Sequence, residues 1–375
     1  MTQHEEADGG RYAILTSGGD APGMNSAVRA ATLLFKSRGH EVLGIHAGLK
    51  GLIRDAMTPL SVSDVDGVLR EGGTILGSAR SPEFRTPEGR AKARGTLRER
   101  GIDGLIVIGG NGSLAAARAL VDPQEADGPV PNVVGIPASI DNDIGYTGLS
   151  IGVDTAMNTI VDACDKIADT AHAFDRTFLV EVMGRDCGYL SMTSAIASGA
   201  ELVLFPESGD SEAEIVEKVV DTAVRAANRQ ERPKGALVIK SEGSEVTTDR
   251  LKELVDARLD EELGEESPEV ETRVTVLGHV VRGGRPSAFD RLLSSRLAHA
   301  AVQGLLDGET DRMAAWMLPE PPPDEVADRS DADPYCWLVD LEAVLAETER
   351  IREGTSSLVE WRTRVFDNIE DVLVM

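Results

Sequence analysis

The chain has 375 residues, room for about two or three domains, and its 41% hydrophobic content places it among folded globular proteins. A formal net charge of −26 argues against a general nucleic-acid or membrane-surface binder, because phosphate-rich surfaces would repel it. Three cysteines (Cys164, Cys187, Cys336) without a CxxC pair argue for a reducing compartment and against a zinc cluster. Residues 1–11 are polar and acidic, and no apolar stretch approaches a membrane span, so a cytoplasmic protein is expected. Eight Lys stand against thirty Arg, a balance compatible with a salt-adapted or GC-rich host and with an ordinary acidic enzyme.

Tyr12–Leu15 reads as a buried strand, followed by a glycine turn and a helix over about Asn25–Arg38. Gly39-His40 closes that helix and Glu41–His46 returns as a strand. This strand–helix–strand order requires a parallel sheet. Leu105–Ile108 is a second apolar strand, with a helix over Ser113–Leu120, and Val133–Ile136 a third. Asp154–Thr170 carries apolar residues at helical spacing. The second half repeats the style, with strands at Phe178–Met183, Leu202–Phe205, Ala236–Ile239 and Val274–Leu277. Helices are expected over Glu212–Asn228, Asp249–Glu262 and Ser287–Leu306, and a linker over 319–324, whose sequence is Pro-Glu-Pro-Pro-Pro-Asp. The acidic segment beyond it shows little pattern. The fold expected is α/β, in two similar lobes.

Three strand ends carry the chemistry. Ser17–Asn25 and Gly109–Ser113 are Gly-rich turns that each follow a strand and open a helix, where backbone N–H groups and the helix dipole favour phosphate. Neither is a GxGxxG or P-loop motif, and a ligand-free turn is an equal reading of each alone. Asp141 and Asp143 follow the third strand. In an open parallel sheet ligands gather outside the carboxyl ends of strands, so this pair is placed for proton or metal chemistry beside phosphate. In isolation, solvated loop acids would be the better reading. Oxyanion-binding cations should be Arg, with Arg80, Arg85, Arg176, Arg185, Arg273 and Arg282 as candidates and His279 beside them.

Together the segments from Tyr12 to about Leu306 resemble the bacterial-type 6-phosphofructokinase (phosphofructokinase A) family. The resemblance rests on Leu15–Asn25, Gly72–Arg80, Gly109–Ser113, Ser139–Asp143, Glu181–Arg185 and Val276–Pro286, in the family's order. It implies two lobes, each a mainly parallel sheet sandwiched by helices, with the active site between them. Residues 1–152 plus about 281–330 would form a nucleotide lobe, and 153–280 plus about 331–375 a sugar-phosphate lobe. The implied reaction moves the γ-phosphoryl of ATP to the 1-hydroxyl of fructose 6-phosphate. Asp141 would be the base, Ser139 a hydroxyl contact, Asp143 the metal- and substrate-side acid, and Arg185 the charge on the transferring group. Arg176, Arg273, His279 and Arg282 would clamp the sugar phosphate, with Met183, Gly184 and Glu242 as further contacts. Gly19, Arg80, Gly112 and Ser113 would face the nucleotide. Mg²⁺ is the implied cofactor. A homo-oligomer, a tetramer by family habit, is implied because Arg176 and Arg273 would reach a neighbouring subunit's site.

Several positions depart from the family. Asn111 stands where ATP-using members generally carry a metal-holding Asp. Gly112 and Ala138 stand where pyrophosphate-using members carry Asp and Lys, which favours ATP and leaves ADP open. Of the effector arginines Arg29 remains, while Leu33, Val62, Ala168 and Pro233 replace the other basic positions, so a weak or altered allosteric response is expected. The alternatives are a pyrophosphate- or ADP-using kinase, a kinase for another sugar phosphate such as sedoheptulose 7-phosphate, and a catalytically weak regulatory paralogue.

Overall fold

A computed structural model describes residues 9–125, 128–230, 235–263, 271–317, 327–329 and 333–373. The Pro-rich linker and Pro233 lie outside the described residues. Strands run β1 Arg11–Ser17, β2 Glu41–Ile45, β3 Met57–Pro59, β4 Gly104–Gly109, β5 Asn132–Pro137 and β6 Thr177–Val182. They continue as β7 Leu202–Leu204, β8 Leu237–Ser241, β9 Thr272–Val276, β10 Arg312–Trp316, β11 Ala327–Arg329 and β12 Cys336–Asp340. They form two sheets, one ordered β11-β12-β10-β5-β4-β1-β2-β3 and the other β7-β8-β6-β9. Five neighbours in the first, β10 to β2, are parallel, with antiparallel strands at both edges. The second is wholly parallel.

The chain divides into two compact units, Met1–Ile140, Ile144–Thr155 and Arg282–Glu349 against Asp141–Asp143, Ala156–Val281 and Arg350–Met375. The return to the second unit comes at Arg350 and not near 331, for a simple reason. Cys336–Asp340 is an apolar run that pairs antiparallel with β10 and extends the first sheet. Each unit has its own apolar core. Leu15, Leu105, Val107 and Val133 meet Leu114 in the first, and Leu179 and Val238 meet Ile215, Val219, Leu251 and Val255 in the second. Both faces of these parallel strands are covered, so β1, β4 and β5 read as continuous apolar runs. A Cβ on Gly135 would sit 2.5 Å from Leu114 Cδ2, which shows how closely the helix Asn111–Val121 lies on the sheet.

The predicted strands and helices are all present, with ends moved by a few residues. Not foreseen were the α-helices Gly48–Ile53, Pro87–Glu99, Tyr189–Ser198, Leu341–Arg352 and Ser357–Leu373. No helix among the described residues is long and apolar enough to cross a membrane.

Candidate active site

In the first unit, the carboxyl ends of three adjacent strands come into register, Ser17 opposite Gly109 and Gly109 opposite Pro137. The two glycine turns and the segment leading to Asp141 therefore leave the same edge of one sheet. A Cβ on Gly109 would lie 2.4 Å from the Ser17 carbonyl and 2.5 Å from Ser113 Oγ, so only glycine lets these turns approach. Gly18 has φ +84°, which favours glycine, and its missing Cβ would be 3.2 Å from Ser113 Oγ. Ser113, buried, thus sits against the first turn. Ser139 adjoins the second, with its Cβ 3.8 Å from where a Gly110 Cβ would be. Its carbonyl accepts from Ser150 Oγ.

Asn111 and Gly112 open the helix Asn111–Val121, whose N-cap, Gly110, offers no side-chain acceptor. Leading N–H groups there point along the helix dipole, the arrangement that favours an anion. Gly112 differs from Gly109 in a telling way. A Cβ on it would meet nothing within 4 Å, and its φ is not positive. Neither packing nor backbone demands glycine at this position.

The loop bearing Arg80 hangs from β1. Thr16 Oγ1 donates to the Gly77 carbonyl at 3.0 Å, and Ser78 Oγ to the Gly18 carbonyl at 2.7 Å. Asn25 holds its start, donating to the Glu71 and Gly72 carbonyls and accepting from Ile75 N–H at 2.7 Å. Arg80 itself is exposed. Arg282 lies over the first turn, its Nη1 2.7 Å from where a Gly19 Cβ would stand and 3.4 Å from the Asp20 carbonyl. It is grouped with the first unit, and Arg176, Arg273 and His279 with the second.

Buried Asp290 anchors the loop after β5. Its carboxylate accepts from Gly152 N–H and Thr155 N–H at 2.8 Å and from Thr155 Oγ1 at 2.5 Å, at the start of the helix Val153–Phe174. Burial raises its pKa against these hydrogen bonds, and the helix N-terminus favours the anion. Sequence reading missed Asp290 and Asn25, whose polar side chains work inside the fold.

The second unit repeats the geometry with different chemistry. β8, β6 and β9 are neighbours, and their carboxyl ends lead into Glu242, Met183–Arg185 and His279. Glu242 N–H donates to the Val182 carbonyl at 2.9 Å, and Leu277 N–H to the Glu181 carbonyl at 3.0 Å, extending the register past the strands. Ser241 Oγ donates to the Gly184 carbonyl. A Cβ on Gly243 would lie 1.8 Å from the Arg185 carbonyl oxygen, so the β8 turn holds the Arg185 backbone. Met183 and Gly184 are buried while Arg185 and His279 are exposed. Beneath them Lys240, fully buried, donates to the Ser241 carbonyl at 3.0 Å and lies 3.6 Å from Glu181. Burial lowers its pKa and Glu181 opposes that.

Arg176 and Arg273 occupy the other edge. Arg176 precedes β6, Arg273 is the second residue of β9, and both ion-pair with Glu271. Arg176 also lies 4.6 Å over the ring of exposed Phe174. β6 spans six residues, roughly 20 Å of strand between this edge and Arg185. Asp141, Asn142 and Asp143 form a short segment of the second unit, with Asn142 fully buried.

The phosphofructokinase family model matches residues 11–305. An ATP-dependent 6-phosphofructokinase of Thermotoga neapolitana is 43% identical over 308 residues, covering 81% of this chain and 89% of that protein. One of Clostridioides difficile is 45% identical over 302 residues, covering 80% of this chain and 87% of that protein. Among solved structures, phosphofructokinase of Pichia pastoris in the T-state has TM-score 0.83 and 30% identity over 99% of this chain. That of Saccharomyces cerevisiae has TM-score 0.77 and 32% identity over 96%. This chain spans only 40% and 47% of those yeast chains. A pyrophosphate-dependent phosphofructokinase of Marinobacter aquaeolei, TM-score 0.72 at 20% identity, shares the fold. With glycine turns aligned along one carboxyl edge and an Arg-, Glu- and His-bearing edge on the second sheet, the chain belongs to the phosphofructokinase family.

Proposed function

We propose that the chain is an ATP-dependent 6-phosphofructokinase, transferring the γ-phosphoryl of ATP to the 1-hydroxyl of fructose 6-phosphate. The observation that carries the donor assignment is Gly112, a glycine at a helix N-terminus that the fold itself does not need. Its open space leaves room for nucleotide phosphate where an Asp side chain would intrude. Gly19, Arg80 and Ser113 complete that side with backbone, guanidinium and hydroxyl donors.

In the reaction Asp141 takes the proton of the 1-hydroxyl as that oxygen bonds to the γ-phosphorus. The bond from that phosphorus to the bridging oxygen breaks, and ADP leaves. Charge spreads over the transferring group in a loose transition state, and Arg185 balances it, with Ser139 offering a hydroxyl. Met183 and Gly184 shape the sugar site, Glu242 accepts from a sugar hydroxyl, and His279 and Arg282 bind the 6-phosphate. Arg176 and Arg273 stand at the far edge of the sheet from Arg185. A second copy of the chain brings them to the phosphate, so the enzyme is a homo-oligomer, a tetramer in this reading, working in the cytoplasm.

No three His, Cys, Asp or Glu side chains converge into a metal cage among the described residues. Mg²⁺ suits such a site, because it takes few protein oxygens and keeps water and phosphate in its shell. Asp143 and the Asn111 carbonyl oxygen are the hard donors proposed to hold it. When bound, the ion neutralises charge developing on the phosphates. Asn111 supplies an oxygen without a charge, so weaker Mg²⁺ affinity is expected.

A donor panel of ATP, ADP, GTP and pyrophosphate with fructose 6-phosphate and Mg²⁺ tests the assignment. ATP should yield fructose 1,6-bisphosphate and ADP. Turnover with pyrophosphate but not ATP would overturn the donor; sugar-phosphate binding with no turnover would mark a regulator.

A further inference from the structure

The helix Ser357–Leu373 lies beyond the residues matched by the family model. Its buried positions Val359, Arg362 and Phe366 follow helical spacing, so they share one face. Phe366 meets Phe205 edge-on with centroids 5.7 Å apart, as a packing residue should. Arg362 breaks the pattern, since a guanidinium on a packing face is costly unless it finds acceptors. It lies 4.6 Å over the Tyr189 ring. Both Nη1 and Nη2 donate to the Asn142 carbonyl oxygen at 3.2 Å, and Nη1 lies 3.7 Å from Cys187 Sγ.

Asn142 separates Asp141 from Asp143, and its φ of +52° is left-handed. Asn enters that region more readily than most non-glycine residues, and which of its accessible conformations persists is set by the surroundings. A forked cation on its carbonyl is part of those surroundings. With the Asn142 peptide pinned, the directions of the two flanking carboxylates are constrained.

We propose that Arg362 is a positioning residue for the Asp141–Asp143 turn, supplied by the carboxyl-terminal helix: its guanidinium, braced on Tyr189, clamps the Asn142 carbonyl and aims the two carboxylates. The catalytic consequence rests on the phosphofructokinase reading above; the clamp itself does not.

Arg362→Met keeps most of the stem and removes the donors. Its kcat with ATP and fructose 6-phosphate should fall roughly tenfold to a hundredfold, the scale of a small misplacement of a reacting group, with each KM within about twofold. Arg362→Lys, which keeps one donor for the carbonyl, should recover several-fold of that loss. Hydrogen exchange across residues 139–146 should be faster in Arg362→Met than in the parent and intermediate in Arg362→Lys. A folded Arg362→Met with kcat within twofold of the parent and unchanged exchange there overturns the proposal, even if its melting temperature drops. Should Arg362→Met fail to fold, Arg362→Lys decides by the same two readouts. Should the parent itself lack turnover, the functional reading fails and exchange alone decides the clamp.

Discussion

The carboxyl edges of the two sheets solve the same problem with different materials. The first ends in turns built from Gly18, Gly19, Gly109, Gly110 and Gly112, so what it presents is backbone N–H groups and helix dipoles. The second ends in Arg185, Glu242 and His279 on a floor of buried Met183, Gly184 and Ser241. Backbone donors suit a polyphosphate chain, whose charge is repetitive and whose recognition needs close approach more than shape. Side chains suit a hexose phosphate, whose hydroxyls and single phosphate must be told apart. The proposed reaction places the donor at the first sheet and the acceptor at the second, and each half of that proposal can be broken separately.

The largest effect is expected at the proposed base. Asp141→Asn should lower kcat by roughly 10²–10⁴-fold, the range for a lost general base, with both KM values and the melting temperature little changed. Retained activity would remove Asp141 as the base. Next comes the acceptor side. Arg273→Ala should raise KM for fructose 6-phosphate roughly tenfold to a hundredfold, the loss of a charge-assisted hydrogen bond, and leave KM for ATP alone. If Arg273 serves a neighbouring copy, co-expressing Arg273→Ala with Asp141→Asn should restore turnover at low fructose 6-phosphate, where each variant alone is nearly silent. Hybrids with no such recovery would place Arg273 outside a shared site. On the donor side, Gly112→Asp should cut kcat/KM for ATP about tenfold or more while unfolding as the parent does, because a Cβ there meets nothing within 4 Å. An unchanged ATP response would show that the first edge does not bind polyphosphate at this position.

Much of this was legible from residues whose burial leaves a periodic trace. Tyr12–Leu15, Leu105–Ile108 and Val133–Ile136 are apolar on both faces because helices cover the parallel strands on both sides. The glycine turns were legible for the converse reason, since close approach excludes side chains. Three things left weaker traces. The helix Pro87–Glu99 carries many charges around a small buried face of Gly89, Ala93, Arg94 and Leu97, so its period is faint. β12 is a five-residue run, too short to separate from a buried helix turn by periodicity. Arg362 lies in the acidic segment that shows little pattern, and burial of an Arg is decided by its partner across the fold, 220 positions away at Asn142. Nothing local encodes that.

The smallest effect tests the opposite edge of the first sheet, where stability and not chemistry should be at stake. Asp311 immediately precedes β10, has φ +59°, and keeps a buried Oδ1 that no hydrogen bond from the described residues reaches. Its other oxygen meets Arg118 at 2.7 Å. Burial and this cation pull in opposite directions, and burial prevails, raising the carboxyl from 3.8 to about 6. The folded state therefore holds this proton more tightly than the unfolded chain does. Its contribution to stability is greatest below pH 4 and is lost as pH rises through 6. Asp311→Asn tolerates the left-handed backbone and removes the titration, though it gives up the charge on Arg118, which keeps Glu342 at 3.0 Å. The stability of the variant relative to the parent should rise by about 1–2 kcal/mol between pH 4 and pH 7, after discounting for a half-buried group. Its kcat and KM at pH 7.5 should match the parent. A flat difference across that pH window would mean that the Arg118 ion pair prevails over burial, while a change in KM for ATP would mean that the amino edge of the sheet is not separable from its carboxyl edge.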